Sequence, residues 1–265
     1  MTLAPSGDVQ AKLHGFLIDD AVEPFQYTYQ REDGGEQTNA KREDKMVTIL
    51  DARDEQCSLS LDRHGMILVP HITALPTRDF YERQDRIMGE YYDEVRGLVQ
   101  QATGASRVII FDHQVRGMGS LPYALQVHND YTYESGPQRI RTLALNQGAD
   151  GPLIPEEDVE RLLSQRFMFI NVWRNISDDH PIVAYPLAMC DGSSMADDHV
   201  VRSAIIYRDR TEYIDAVKYD PSQRWLYFSQ MCKNEAILFK GMDSKQCPGF
   251  TRYTFHSAFD DPRVP

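Results

Sequence analysis

Thr251-Arg-Tyr-Thr-Phe-His256-Ser-Ala-Phe259 is a run of β-branched and aromatic residues, and Thr251–His256 within it reads as a strand that carries a histidine. Five earlier stretches read the same way: Phe167–Trp173, Ala204–Tyr207, Tyr213–Lys218, Trp225–Phe228 and Ala236–Phe239. Each is short and bounded by Asp, Pro, Gly or Ser, as at Asp220-Pro221. Met46–Leu50, Met66–Val69 and Val108–Phe111 extend the series upstream. Two helices are expected beside them. One spans Asp79 to Gln101, with Phe80, Ile87, Tyr91, Val95, Leu98 and Val99 at helical spacing and Gly104 past its end. The other starts at Pro155 with Glu156 and Glu157 in its first turn, where the helix dipole favours carboxylates, and runs to about Gln165. Short strands at even spacing with helices outside predict a mostly-β fold with flanking helices, on a double-stranded β-helix (jelly-roll or cupin-like) core. A generic α+β domain is the alternative.

No repeat or long linker divides the 265 residues. The expected organisation is an N-terminal extension over 1–45 and a single domain over 46–265. Within the extension, Arg31–Asp44 (REDGGEQTNAKRED) is too polar for a core and is expected as a surface loop or mobile flap.

Lys and Arg number 28 against 40 Asp and Glu, a formal net charge of −12, so the mean field repels nucleic acid and anionic membrane alike. The opening residues lack a basic-then-apolar leader pattern and no apolar run reaches membrane-spanning length, so a cytoplasmic protein is expected. Cys57, Cys190, Cys232 and Cys247 are far apart, without the paired spacing of a zinc or redox motif. The sequence sets no oligomeric state, a homodimer being one option.

The chemistry points to His128-Asn129-Asp130. On an extended segment, residues i and i+2 share a face, so His128 and Asp130 can hold one metal together. His256, on a strand remote in sequence, can supply the third ligand of a two-histidine, one-carboxylate triad, leaving open coordination positions for a co-substrate and dioxygen. Zinc hydrolysis would use similar residues, so the donors alone do not choose the metal. His64, His71, His180 and His199 read as loop or surface residues. His113, in a polar cluster with Asp112 and Arg116 after an apolar run, is a candidate to line a pocket. Asn171 and Trp173 share one strand face and are candidates for the pocket wall.

Several blocks, in order, carry a family resemblance. They are Phe111-Asp112-His113 with Arg116; His128-x-Asp130-Tyr131-Thr132 with Glu134-Ser135-Gly136-Pro137 and Arg139; Asn171-Val-Trp-Arg174; Pro186-Leu-Ala; and Cys190-Asp191. Arg224-Trp225-x-Tyr-Phe228, Asp243-Ser244 and His256-Ser-Ala-Phe-Asp-Asp-Pro262 complete the series. From Val47 to Pro262 the chain resembles the fungal hydroxylase/desaturase family that includes aspergillic acid hydroxylase and is related to a component of the bacterial cephem-methoxylase system. The resemblance implies a non-haem Fe(II), 2-oxoglutarate-dependent oxygenase of secondary metabolism, with O₂ as oxidant and His128, Asp130 and His256 as iron ligands. Hydroxylation, desaturation and ring formation on a small molecule all fit that ligand set.

In that family a Pro-Arg-Glu-Ser-like stretch after the distal histidine supplies an Arg for the far carboxylate of 2-oxoglutarate, and the present sequence stops at Pro265 before reaching it. A dianion in a low-dielectric pocket needs a guanidinium to offset its desolvation. Arg252, four residues before His256 on the expected strand, is the first candidate, with Arg116 and Arg263 as alternatives. Otherwise the sequence is a piece of a longer one, or 2-oxoglutarate is not used. Two rival readings follow: a metal-dependent oxygenase or isomerase of the same fold without 2-oxoglutarate, and a non-catalytic ligand-binding barrel.

Overall fold

The computed structural model describes residues 5–18, 23–117, 121–145 and 152–264. Its largest sheet has five strands in the order β1 (Val9–Leu17), β3 (Arg42–Asp51), β9 (Trp225–Tyr227), β6 (Leu187–Cys190) and β11 (His256–Ala258). A second sheet runs β4 (Met66–Pro70), β10 (Glu235–Asp243), β5 (Met168–Trp173), and a third runs β2 (Phe25–Tyr27), β7 (Val200–Ile206), β8 (Thr211–Val217). The sheets curl into a nearly closed barrel, mostly β with helices outside, as the strand pattern predicts.

Period-two alternation decides what lies between the layers. Leu187, Met189 and Leu226 of the first sheet meet Ile237, Phe239 and Met66 of the second in one buried cluster. The intervening Ala188, Cys190, Trp225 and Tyr227 face the other way and pack with Val9, Leu13, Ile49, Phe255 and Phe259. On the outer face of the second sheet, Ala236 and Leu238 receive Val95, Leu98 and Val99 of a helix. Lys240 of β10 is fully buried, its ammonium 2.7 Å from Asp243 and 2.9 Å from the Thr251 carbonyl. Asp243 also accepts from Arg166 at 2.6 Å, so the charge is paired inside the barrel.

Several expectations shift. The helix expected over 79–101 is interrupted: α1 (Thr77–Glu82) ends at Arg83, α2 (Gln84–Arg86) leads into a π-helical turn at Ile87–Tyr91 containing Gly89, and α3 (Tyr92–Thr103) follows. Gly104, at φ 70°, closes α3 in the left-handed conformation that glycine takes without strain. The second helix reduces to a 3₁₀ turn and α5 (Val159–Leu163). Val108–Phe111 pairs with no strand among the described residues and lines a cavity instead. Strands β2 and β6 were not expected, nor were β1, whose Val9, Ala11 and Leu13 alternate with polar residues, and α4 (Ser135–Leu145), whose Gly136-Pro137 sits in the first turn that tolerates proline. The sheet thus starts well before residue 46, and Arg42–Asp44 of the expected loop opens β3. The strand expected over Thr251–His256 begins only at His256.

No helix among the described residues is long and apolar enough to cross a membrane.

Candidate metal centre

His256 and His128 are hydrogen-bonded to each other through their backbones. The His256 N–H donates to the His128 carbonyl at 3.0 Å, and the His128 N–H donates back at 3.2 Å. The next residue, Asn129, donates its N–H to the Asp215 carbonyl of β8 at 3.3 Å. The H-x-D segment therefore spans the gap between β11 and β8, and the antiparallel bridge sets the two residues side by side with their ring centroids 4.4 Å apart. Asn129 turns inward and is buried, so His128 and Asp130 face the cavity together, as i and i+2 must.

The hydrogen bonds also decide which atoms are free. Nδ1 of His128 lies 2.7 Å from the Gln126 carbonyl, and Nδ1 of His256 lies 3.1 Å from the Thr254 carbonyl. A carbonyl only accepts, so both Nδ1 atoms carry the proton and both Nε2 lone pairs remain available. Asp130 Oδ2 accepts from the Asn171 amide at 2.7 Å, and Oδ1 stands 3.6 Å from His128 Nε2. One donor from each of His128, Asp130 and His256 lies within 4.8 Å of the others. Two neutral imidazoles and a carboxylate around one point fit a divalent first-row ion with open positions on the cavity side.

Electrostatics agree with the geometry. Burial opposes the ionised form of Asp130, but the two imidazoles, the Asn171 bond and the Arg116 charge together hold its carboxyl below the ordinary range. Burial, with the His128 ring, lowers His256 below an ordinary histidine, so it stays neutral and able to ligate.

A cavity of about 2300 Å³ opens in front of these donors. His113 lies on its wall, accepting from the Tyr92 hydroxyl at 2.7 Å and donating to Gln84 at 3.1 Å. Asn171 and Trp173 line it from β5, the Asn171 amide being engaged with Asp130. The three candidate arginines part company. Arg116 lines the cavity, donating among the described residues to the Pro122 carbonyl and the Gln114 amide oxygen, and its charge is felt at both Asp130 and His256. Arg252 instead donates to Asp197 at 2.7 Å and lies over the Tyr133 ring. Arg263 is 2.7 Å from Asp261 and donates to Tyr227 and the Gly7 carbonyl. The residues the sequence reading missed are those whose partners lie on other elements: Arg139 of α4, beside Tyr131 on the cavity wall, and Asp215 behind Asn129. The only sequence signal for Arg139 is its place in the H-x-D block.

A mostly-β barrel whose mouth gathers two histidines and a carboxylate has the architecture of a non-haem metal oxygenase. The chain belongs to the family described as oxidoreductase/YMDC permease-like domain, which matches residues 15–265. It is similar to the hydroxylase/desaturase CTB9 of Cercospora beticola, 27% identical over 90% of this chain and 80% of that protein. It is 28% identical to the Fe(II)/2-oxoglutarate-dependent dioxygenase nvfI of Aspergillus novofumigatus, over 94% of this chain and 88% of the relative. A solved structure of a variant of the iron and alpha-ketoglutarate-dependent endoperoxidase NvfI superposes with a TM-score of 0.84 at 26% identity, covering 97% of this chain and 92% of that one. The named relatives and structural neighbours are thus Fe(II)/2-oxoglutarate-dependent dioxygenases, hydroxylases and desaturases, as the resemblance of the sequence blocks implies.

Proposed function

We propose that this chain is an Fe(II)/2-oxoglutarate-dependent dioxygenase that hydroxylates, desaturates or closes a ring on a small secondary metabolite. The observation that carries the reading is the pair of backbone-anchored imidazoles whose free Nε2 atoms converge with Asp130 Oδ1. His128, Asp130 and His256 would hold the iron, which with 2-oxoglutarate and O₂ supplies an oxidant for an unactivated C–H bond. Asn171 orients the carboxylate by occupying its outer oxygen. Arg116 would bind the far carboxylate of 2-oxoglutarate, since of the three candidate arginines it is the one that lines the cavity, and it forms no ion pair with a carboxylate among the described residues. His113 and Trp173 shape the wall against which the substrate lies. We place the protein in the cytoplasm, acting on a small molecule rather than on nucleic acid or membrane. The catalytic domain comprises residues 46–265 together with β1, β2 and the opening residues of β3 from the segment before them.

Anaerobic titration with Fe(II) and 2-oxoglutarate tests this directly. The expected result is the weak visible charge-transfer band of the chelate, absent in His128→Ala and His256→Ala. A protein that shows no band, and yields no succinate under air, is not a 2-oxoglutarate enzyme. Oxygen uptake without succinate would identify the oxygenase that dispenses with it.

A further inference from the structure

The cavity continues from the three donors past β5 to the outer side of the second sheet, where Val95 and Val99 line it, and Phe111, Tyr131, Phe169 and Trp173 make much of its wall aromatic. The chain is strongly acidic, and most arginines facing this space are neutralised by a carboxylate. Arg166 meets Asp243 at 2.6 Å, Arg107 meets Asp158 at 2.8 Å and Arg210 meets Glu212 at 2.8 Å, while Arg202 lies 3.9 Å from Glu134. Arg174, deeper in the wall, gives Nη2 to His71 and lies over the Tyr91 ring, with its Nε and Nη1 unpartnered, so beside Arg139 it is a second cation without a carboxylate among the described residues. With Arg116 taken by the co-substrate, these two are left over.

Arg139 has no carboxylate within 4.0 Å among the described residues, and its buried Nε has no partner. The guanidinium lies over the Phe111 ring at 5.0 Å and interacts with the Tyr131 phenol. Tyr131 is the residue after Asp130 and is stacked on Phe169 at 4.2 Å, so this cation has a fixed bearing on the metal ligands. Its helix is held hard against β10: a Cβ on Gly136 would come within 2.1 Å of the Met242 sulfur. A half-buried guanidinium held in place by two aromatic rings, with its Nε unpartnered and no carboxylate beside it among the described residues, is suited to receive one.

We propose that Arg139, with the Tyr131 hydroxyl, binds an anionic group on the primary substrate, which is therefore a ring-bearing organic acid. The inference rests on the dioxygenase reading, because it assigns Arg116 to 2-oxoglutarate.

Two fluorescent dyes of nearly the same skeleton test it: anilinonaphthalenesulfonate, an anion, and phenylnaphthylamine, which is neutral. Each is titrated into the protein loaded with Ni(II) and 2-oxoglutarate. In Arg139→Gln the sulfonate dye is expected to bind at least about tenfold more weakly, the loss of one charge-assisted bond, while the neutral dye and 2-oxoglutarate keep their affinities. Equal losses for both dyes, or none, overturn the proposal, as does a loss confined to 2-oxoglutarate. If the glutamine variant unfolds, Arg139→Lys serves: a threefold or greater loss for the sulfonate dye alone supports the anchor, and parallel changes refute it. A wild-type protein without the Fe(II)–2-oxoglutarate band would refute the dioxygenase reading, while the dye comparison would still report on Arg139.

Discussion

Replacing Asn171 by valine removes one hydrogen bond, 2.7 Å long, from the outer oxygen of Asp130 and changes little else, since a β-branched residue suits the middle of β5. A bond to an ionised carboxylate in a partly desolvated site contributes about 1.5–3 kcal/mol, and groups that orient a ligand typically change metal affinity by roughly 10–100-fold. The same bond helps hold the Asp130 carboxyl below its ordinary range, so its loss raises that pKa and lets protons compete with the ion at higher pH. The expected outcome is a dissociation constant for Fe(II) or Co(II), measured anaerobically against a competing chelator, about 10–100-fold weaker at neutral pH and weaker still near pH 6. The melting temperature of the metal-free protein should hardly move. A variant within twofold of the wild type at both pH values would show that Asp130 is oriented without Asn171.

Three further outcomes follow from groups outside the cavity. Lys240→Met strands part of the Asp243 charge in the barrel, and urea unfolding should show a loss of about 3–5 kcal/mol, largely restored when Asp243→Leu is added. Burial pushes Asp215 from 3.8 up to about 7, so the folded protein keeps a proton there that the unfolded chain releases. This contribution is full below pH 4 and is lost as pH climbs towards 7, so Asp215→Asn should be more stable than the wild type by a few kcal/mol at pH 8 and by almost nothing at pH 4 in urea titrations. Arg263→Gln cuts the ties from Asp261 and Tyr227 to the Gly7 carbonyl and should lower the melting temperature while leaving 2-oxoglutarate affinity unchanged; a selective loss of that affinity would place Arg263 in the site.

The barrel was legible where burial imposes alternation. Trp225–Tyr227 and Met66–Pro70 fall within about a residue of their expected bounds because each has its ladder and its core face. Among the described residues, Val108–Phe111 has the same composition and no partner strand, which no local pattern reveals. In β1 the alternation of Val9, Ala11 and Leu13 was present to be read, but the polar stretch that follows it suggested an extension. The convergence of His128, Asp130 and His256 could be read because an H-x-D pair declares itself locally and His256 sits in a run of strand-forming residues. What supports the trio could not: Asn171 lies 41 positions from Asp130, and Asp215 touches Asn129 only once β8 is in place. The argument that Arg252 shares a face with His256 required a strand from Thr251, which the chain does not form.

The bridge between residues 128 and 256 also sets a timetable. The first imidazole leaves the ribosome 128 residues ahead of its mate, a lag of roughly 6–25 s at ordinary elongation rates. Closing so long a loop is entropically slow, and no pair of ligands from the two halves can chelate until it closes. An ion held by His128 and His256 together would therefore be bound only after residue 256 has emerged and this bridge has closed.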